Sequence, residues 1–264
     1  MSIRFTIILF IGLLFPATII FAQEKSPFEQ SSFTDKGATL PYRILFPKNF
    51  NPTQKYPMLV FLHGAGERGN DNEKQLVHGG SWLASDSVRE KFPMIVIVPQ
   101  CPENDFWSNV KISASDSSGA AYRFDFQPGG EPTTAMSLLS GLLEKMLEKP
   151  YVDKRQIYVG GLSMGGMGTL ELLRRKPKVF AAAFAICGGD NTGNVKAYRR
   201  TPVWLFHGAV DRVVPVDHSR VIAQALQAAG DEVYLTIYPE TDHNSWDKVF
   251  IEPKLLPWLF SKKK

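Results

Sequence analysis

Tyr158-Val159-Gly160-Gly161-Leu162-Ser163-Met164-Gly165-Gly166 is the stretch on which the reading of this chain turns. Residues 161–165 fit Gly-x-Ser-x-Gly, preceded by the apolar run Ile157–Gly160 and followed by a helix-like segment from about Met164 to Arg175. A serine on a sharp strand-to-helix turn has its hydroxyl lifted clear of the sheet. The glycines two residues to either side are required because a larger side chain would strike the neighbouring strand and helix. The helix that follows points free N–H groups at whatever negative charge develops beside Ser163.

A serine activated in this way needs a base and an acid to orient the base, arriving along the chain in the order acid, then histidine. Pro202-Val203-Trp204-Leu205-Phe206 reads as a buried strand that ends in His207-Gly208-Ala209-Val210-Asp211, placing Asp211 in a loop just past a strand end. One helical pattern and one strand later, Pro239-Glu240-Thr241-Asp242-His243 places His243 in the loop after the last strand. The other four histidines suit the base less well: His63 follows an earlier strand, His78 lies in a polar loop, His207 ends its strand before the acid, and His218 opens a helix. Asp190, Asp217 and Asp242 are rival acids, each less well placed relative to a strand end.

Acyl transfer also needs N–H donors aimed where a carbonyl oxygen becomes an oxyanion. The loop Leu62-His63-Gly64-Ala65-Gly66-Glu67-Arg68-Gly69 directly follows the apolar strand Met58–Phe61 and supplies one such donor, Ala65 or, in the neighbouring register, Gly66. Met164, the residue after the serine, supplies the other. His63 reads as a brace for this loop rather than a second base.

The motifs LHGAGERG at 62–69, VPQCP at 98–102 with Trp107, GLSMGG at 161–166, HGAVDRVVP at 207–215 and DHNSW at 242–246 together resemble an α/β-hydrolase. The resemblance is to bacterial esterases grouped with the dienelactone hydrolase, prolyl oligopeptidase and polyhydroxybutyrate depolymerase families. It implies a mostly parallel central sheet with helices on both faces and a serine carboxylic-ester hydrolase, commonly one acting on feruloyl or acetyl esters of plant polysaccharides. It implies no metal or organic cofactor. A small exopeptidase would use the same machinery, but the propeller of prolyl oligopeptidases is missing from the sequence and no acidic pair to hold a substrate amino terminus is identifiable. A non-catalytic carbohydrate-binding relative is the alternative from another class, and an intact set of serine, aspartate and histidine argues against it.

Composition agrees with one large catalytic domain over 23–264. The chain has 264 residues, 44% hydrophobic and 21% charged, enough to bury a substantial core without metals or bridges. A formal charge of +4 with scattered lysines and arginines offers no nucleic-acid groove. At the N-terminus, Arg4 precedes the apolar run Phe5–Phe21, which ends in Ala22 before Gln23-Glu24-Lys25. This reads as a signal peptide over 1–22, exporting the mature chain to the periplasm or beyond without stable membrane insertion. An uncleaved anchor is the alternative, because the run is near the lower limit of about 17 residues for spanning a bilayer.

Elsewhere the pattern alternates. Strands are expected at 39–46, 58–63, 94–98, 156–160, 181–186, 202–206 and 232–238, with helices at 138–148, 164–175, 216–229 and 253–260. The site then lies at the carboxyl ends of the strands. Residues 107–131 are polar and without clear periodicity, an expected substrate-side loop, and Trp107, Trp246 and Glu67 are candidates to line the substrate pocket. Cys101 and Cys187 fall past the strands at 94–98 and 181–186; the α/β-hydrolase resemblance implies that the strands at 58–63 and 156–160 lie between them, about 14 Å of strand spacing. A disulfide needs Cα atoms within about 7 Å, so both thiols are expected to be free.

Overall fold

The strand Tyr56–Leu62 sorts its side chains with the period-two alternation of a pleated strand. Met58, Val60 and Leu62 enter one apolar cluster while Leu59 and Phe61 enter another, and all five are essentially inaccessible to water. A strand buried on both faces must have helices on both faces, and that requirement sets the architecture.

The computed structural model describes residues 26–115 and 121–264; the expected signal peptide at 1–22 lies outside the described residues. In chain order the strands are β1 (Glu29–Asp35), β2 (Ala38–Leu45), β3 (Tyr56–Leu62), β4 (Ile95–Pro99), β5 (Val110–Ala114), β6 (Tyr122–Phe126), β7 (Val152–Leu162), β8 (Ala182–Ile186), β9 (Val203–Gly208) and β10 (Val233–Tyr238). The helices of seven residues or more are α1 (Thr134–Leu147), α2 (Met164–Arg175), α3 (Asp217–Ala228) and α4 (Leu255–Ser261). Eight strands form one sheet in the order β1-β2-β4-β3-β7-β8-β9-β10. The β1–β2 and β2–β4 pairs are antiparallel; every later pair is parallel. This is the expected α/β-hydrolase architecture. No helix among the described residues is long and apolar enough to cross a membrane.

Helix α1 shows why these segments fold as they do. Thr133 caps its first turn by accepting a hydrogen bond from the Met136 amide at 3.1 Å, and Leu138, Leu139, Leu142, Leu143 and Met146 line one buried face. Burying each such side chain contributes about 1.5–3 kcal/mol relative to exposure. These residues share a cluster with Leu170, Leu172 and Leu173 of α2 and with Ile222 and Leu226 of α3. Leu255, Leu256 and Leu259 of α4 close the opposite face, with Leu83 and Val88.

Two strands at 110–126 correct the expectation of an unstructured substrate-side loop. Val110–Ala114 pairs antiparallel with Tyr122–Phe126 in a separate hairpin. Val110, Ile112 and Ala114 alternate with polar residues, as do Tyr122, Phe124 and Phe126, a period-two signal obscured by the serines and glycines around it; the strands are mostly exposed. The hairpin leans on the loop after β9: the Ala121 amide donates to the Arg212 carbonyl at 2.8 Å, and Phe126 packs with Met167 and Val214. Strand β1, EQSSFTD, also went unexpected, because Phe33 is its one apolar residue.

Candidate active site

Ser163 leaves β7 and enters α2 with φ 52° and ψ −118°, a conformation an L-residue holds only where its surroundings enforce it. The enforcement is visible. A side chain at Gly161 would meet the Gly165 carbonyl oxygen at 2.5 Å and that of Leu62 at 2.6 Å, and one at Gly165 would collide with the Leu62 carbonyl. The Ser163 amide is tied to the Ile186 carbonyl at 2.8 Å, and its own carbonyl accepts from the Met167 amide at 3.0 Å. The elbow is therefore held from β3, β8 and α2 together.

The parallel strands deliver the partners at their carboxyl ends. Asp211 lies in the loop after β9 and His243 in the loop after β10, and both come to Ser163. Ser163 Oγ is 2.9 Å from His243 Nε2, and His243 Nδ1 is 2.8 Å from Asp211 Oδ2. Because the carboxylate accepts, the ring proton sits on Nδ1 and leaves the Nε2 lone pair facing the serine hydroxyl. Oδ1 of Asp211 accepts from the Val213 and Val214 amides, each at 2.9 Å. Burial opposes the charge on Asp211, but hydrogen bonds from His207, His243 and the Val214 amide hold its carboxyl well below the usual carboxylate range. For His243, burial likewise opposes the charged ring; the bond to Asp211 and the Cys187 sulfur beside it outweigh that and raise it above the ordinary histidine range.

The rival acids are engaged elsewhere. Asp242 binds Arg212, Asp217 binds Arg220, and Asp190 accepts from Tyr198 and Asn194.

Ala65 opens a short 3-10 turn and Met164 opens α2, so neither amide has an acceptor within its own helix. The loop that carries Ala65 is braced on several sides. His63 is fully buried, its Nδ1 donating to the Gly64 carbonyl at 2.6 Å and its Nε2 accepting from the Cys101 amide at 2.9 Å. Burial, with Arg68 nearby, pushes this ring down to about 4, so it stays neutral and acts as a brace. Arg68 donates to the Ala65 carbonyl at 2.9 Å and the Asp105 carbonyl at 3.3 Å.

Of the candidates for the substrate pocket, Trp107 is corrected. It is wholly buried, edge-on to His63 with ring centroids 5.5 Å apart, and a side chain at Gly168 would run into its Cβ. It packs beneath the loop that carries His63, and a bulky aromatic next to a loop motif gives no sequence signal to separate floor from wall. Trp246 does border the site, edge-on to His243 at 5.4 Å and 5.1 Å from the ring of His78. Glu67 is largely buried beside Gly64, with His78 Nε2 at 3.7 Å. Two residues that sequence reasoning passed over also reach the centre. His207, fully buried, brings Nε2 within 3.2 Å of Asp211 Oδ2, and Cys187 lies beside His243 and Asp211. Both stand at strand ends, the place where Asp211 was sought, and that position was the available signal.

Comparison with known proteins followed the same lines. The phospholipase/carboxylesterase family model matches residues 51–252. The crystal structure of a thermostable esterase superposes with a TM-score of 0.79 at 34% identity, covering 90% of this chain and 64% of that one. A bifunctional acetylxylan esterase/xylanase of Neocallimastix patriciarum is 25% identical over 181 residues, 68% of this chain and 22% of its own length. A probable dipeptidyl-aminopeptidase B of Aspergillus niger is 27% identical over 241 residues, 80% of this chain and 25% of its own. The chain thus spans a quarter or less of either of these two relatives.

Proposed function

The chain belongs to the phospholipase/carboxylesterase family, and on that premise we propose that it hydrolyses carboxylic esters through an acyl-enzyme on Ser163. The observation that carries the reading is the unbroken line of hydrogen bonds from Ser163 Oγ through His243 to Asp211, at 2.9 and 2.8 Å. His243 takes the serine proton as Oγ attacks the ester carbonyl, and Asp211 holds the ring in the tautomer that can accept it. The Ala65 and Met164 amides receive the oxyanion. The imidazolium then returns the proton to the departing alcohol. Water repeats the sequence on the acyl-enzyme and releases the acid. None of these steps calls on a metal or organic cofactor.

The substrate class proposed is a small acyl ester, acetyl or feruloyl, carried on a polysaccharide fragment or a small alcohol, with Trp246 and the more deeply set Glu67 beside it. Similarity to an acetylxylan esterase supports it. The leader read at 1–22 would place this activity outside the cytoplasm. The test is labelling by a fluorophosphonate probe, lost in Ser163→Ala, followed by rates across acetyl, butyryl, longer-chain and feruloyl esters; absence of labelling on native protein would overturn the reading.

A peptidase reading has the similarity to dipeptidyl-aminopeptidase B in its favour. The phospholipase/carboxylesterase family match and the 34% identity to a thermostable esterase favour the ester reading. Turnover of an aminoacyl anilide faster than of a nitrophenyl ester would reverse that preference.

A further inference from the structure

Cys187 sits one residue past the end of β8, wholly buried, with φ at 40°. A positive φ on a residue with a side chain is strained and persists only where the surroundings over-determine it. Its amide donates to the Phe206 carbonyl at 2.8 Å, which fixes the backbone at this position. The Cys187 sulfur, a carboxylate oxygen of Asp211 and a ring nitrogen of His243 all lie within 4.8 Å of one another. Ester hydrolysis as derived above makes no use of this thiol.

We propose that Cys187, His243 and Asp211 form an inhibitory site for a soft divalent cation of the zinc and cadmium class. The donor set is one thiolate, one imidazole and one carboxylate, which suits such ions and not magnesium or calcium. In a tetrahedral zinc site, bonds of about 2.0–2.3 Å put ligand atoms roughly 3.3–3.5 Å apart, so atoms at the 4.8 Å limit must close by on the order of 1 Å, whereas His243 Nδ1 and Asp211 Oδ2, 2.8 Å apart, would have to open slightly if both bind. Water supplies the fourth position. On binding, the Cys187 thiol proton leaves to solvent and the sulfur donates its electron pair to the metal; no group is oxidised or reduced. If the ion takes the Nδ1 lone pair, the single ring proton moves to Nε2, which can no longer accept from Ser163. If the ion takes Nε2, that lone pair is already occupied. Either way the base is lost. The inhibition, though not the binding, rests on His243 being the base proposed above.

The probes are Zn²⁺ and Cd²⁺ as chlorides, added to the full chain. Zinc should inhibit ester turnover, a chelator should restore it, and magnesium should have no effect. Cys187→Ser should need at least about tenfold more zinc than the wild type to halve its own turnover. Cys187→Gly, which suits the positive φ, provides a second thiol-free chain should the serine variant fold poorly. Cadmium should raise an ultraviolet thiolate-to-metal charge-transfer band in the wild type and in Ser163→Ala, and none in either Cys187 variant, although both keep Cys101. That band needs no catalysis, so it separates failure of the metal site from failure of the esterase reading. Unchanged zinc sensitivity in both variants, or no cadmium band in the wild type, would overturn the proposal.

Discussion

His207 and His243 converge on one oxygen atom, Asp211 Oδ2, at 3.2 and 2.8 Å. Nε2 of His207 also faces the Val214 carbonyl at 2.8 Å, and a nitrogen between two acceptors carries the proton. Its Nδ1 meets Ser219 Oγ at 2.7 Å, which in turn reaches the Gly188 carbonyl at 3.2 Å. The acid is thus fixed by a buried donor as well as by the base that it orients.

Replacing His207 by Leu removes that donor and leaves buried acceptors unpaired, a cost of about 1–3 kcal/mol. Turnover should fall roughly ten- to a hundredfold, corresponding to about 1.4–2.7 kcal/mol in the barrier, and the melting temperature should drop. His207→Gln, which can donate from its amide, should recover part of both. Full turnover in the leucine variant would show that His207 is indifferent to the chemistry.

Ser163→Ala and His243→Ala should each cut ester turnover on the order of a thousandfold or more, and Asp211→Asn severely but less completely. Ser163 and His243 are partly exposed at the mouth of the site, so both alanine variants should remain folded. Steady-state rates beside circular dichroism check this; near-full activity in Ser163→Ala is the outcome that sinks the mechanism.

The pH profile follows from the raised His243. A base must be neutral to accept a proton, so activity should climb with pH through a midpoint above the free-histidine value of about 6.5. In Asp211→Asn the raising partner is gone and the midpoint of the residual activity should move down. Stability runs the other way: a group whose folded pKa is raised contributes stability that is complete below about 6.5 and is lost as pH rises through the folded value. Ester turnover and thermal melts across mildly acidic to alkaline pH should diverge accordingly, and a wild-type midpoint at or below 6.5 would contradict the Asp211 effect.

The register of the oxyanion loop can be decided by removing one amide. Ala65→Pro deletes the N–H at the first position of its turn, where proline fits, and should lower kcat by roughly a hundred- to a thousandfold. A side chain at Gly66 meets nothing within 4 Å, so Gly66→Ala should fold and turn over nearly normally. If instead Ala65→Pro is active and Gly66→Pro is not, the donor is Gly66.

What could be read in the sequence was local. The elbow glycines announce a steric requirement within five residues, and helix 164–175 coincides with α2 because its start is fixed by that turn. Asp211 and His243 could be singled out because parallel strands send all their carboxyl ends to one side. The thiols at Cys101 and Cys187 are free, with β3 and β7 between the strands that precede them, as the α/β-hydrolase resemblance implied. What resisted reading depends on two segments meeting. The pairing of residues 110–114 with 122–126, the burial of Trp107 and the approach of His207 and Cys187 to Asp211 are products of tertiary packing that no single window encodes.

The position of β10 at the rim of the sheet has a consequence for how this protein would lose function. Among the described residues β9 alone pairs with it, its residues are largely half-buried, and His243 hangs from the loop that follows it. Rim elements open with smaller free energies than central ones. In a denaturant titration, inactivation should come before unfolding: catalysis should fail while the far-ultraviolet signal of the central strands and helices persists, with the outermost strand acting as the fuse.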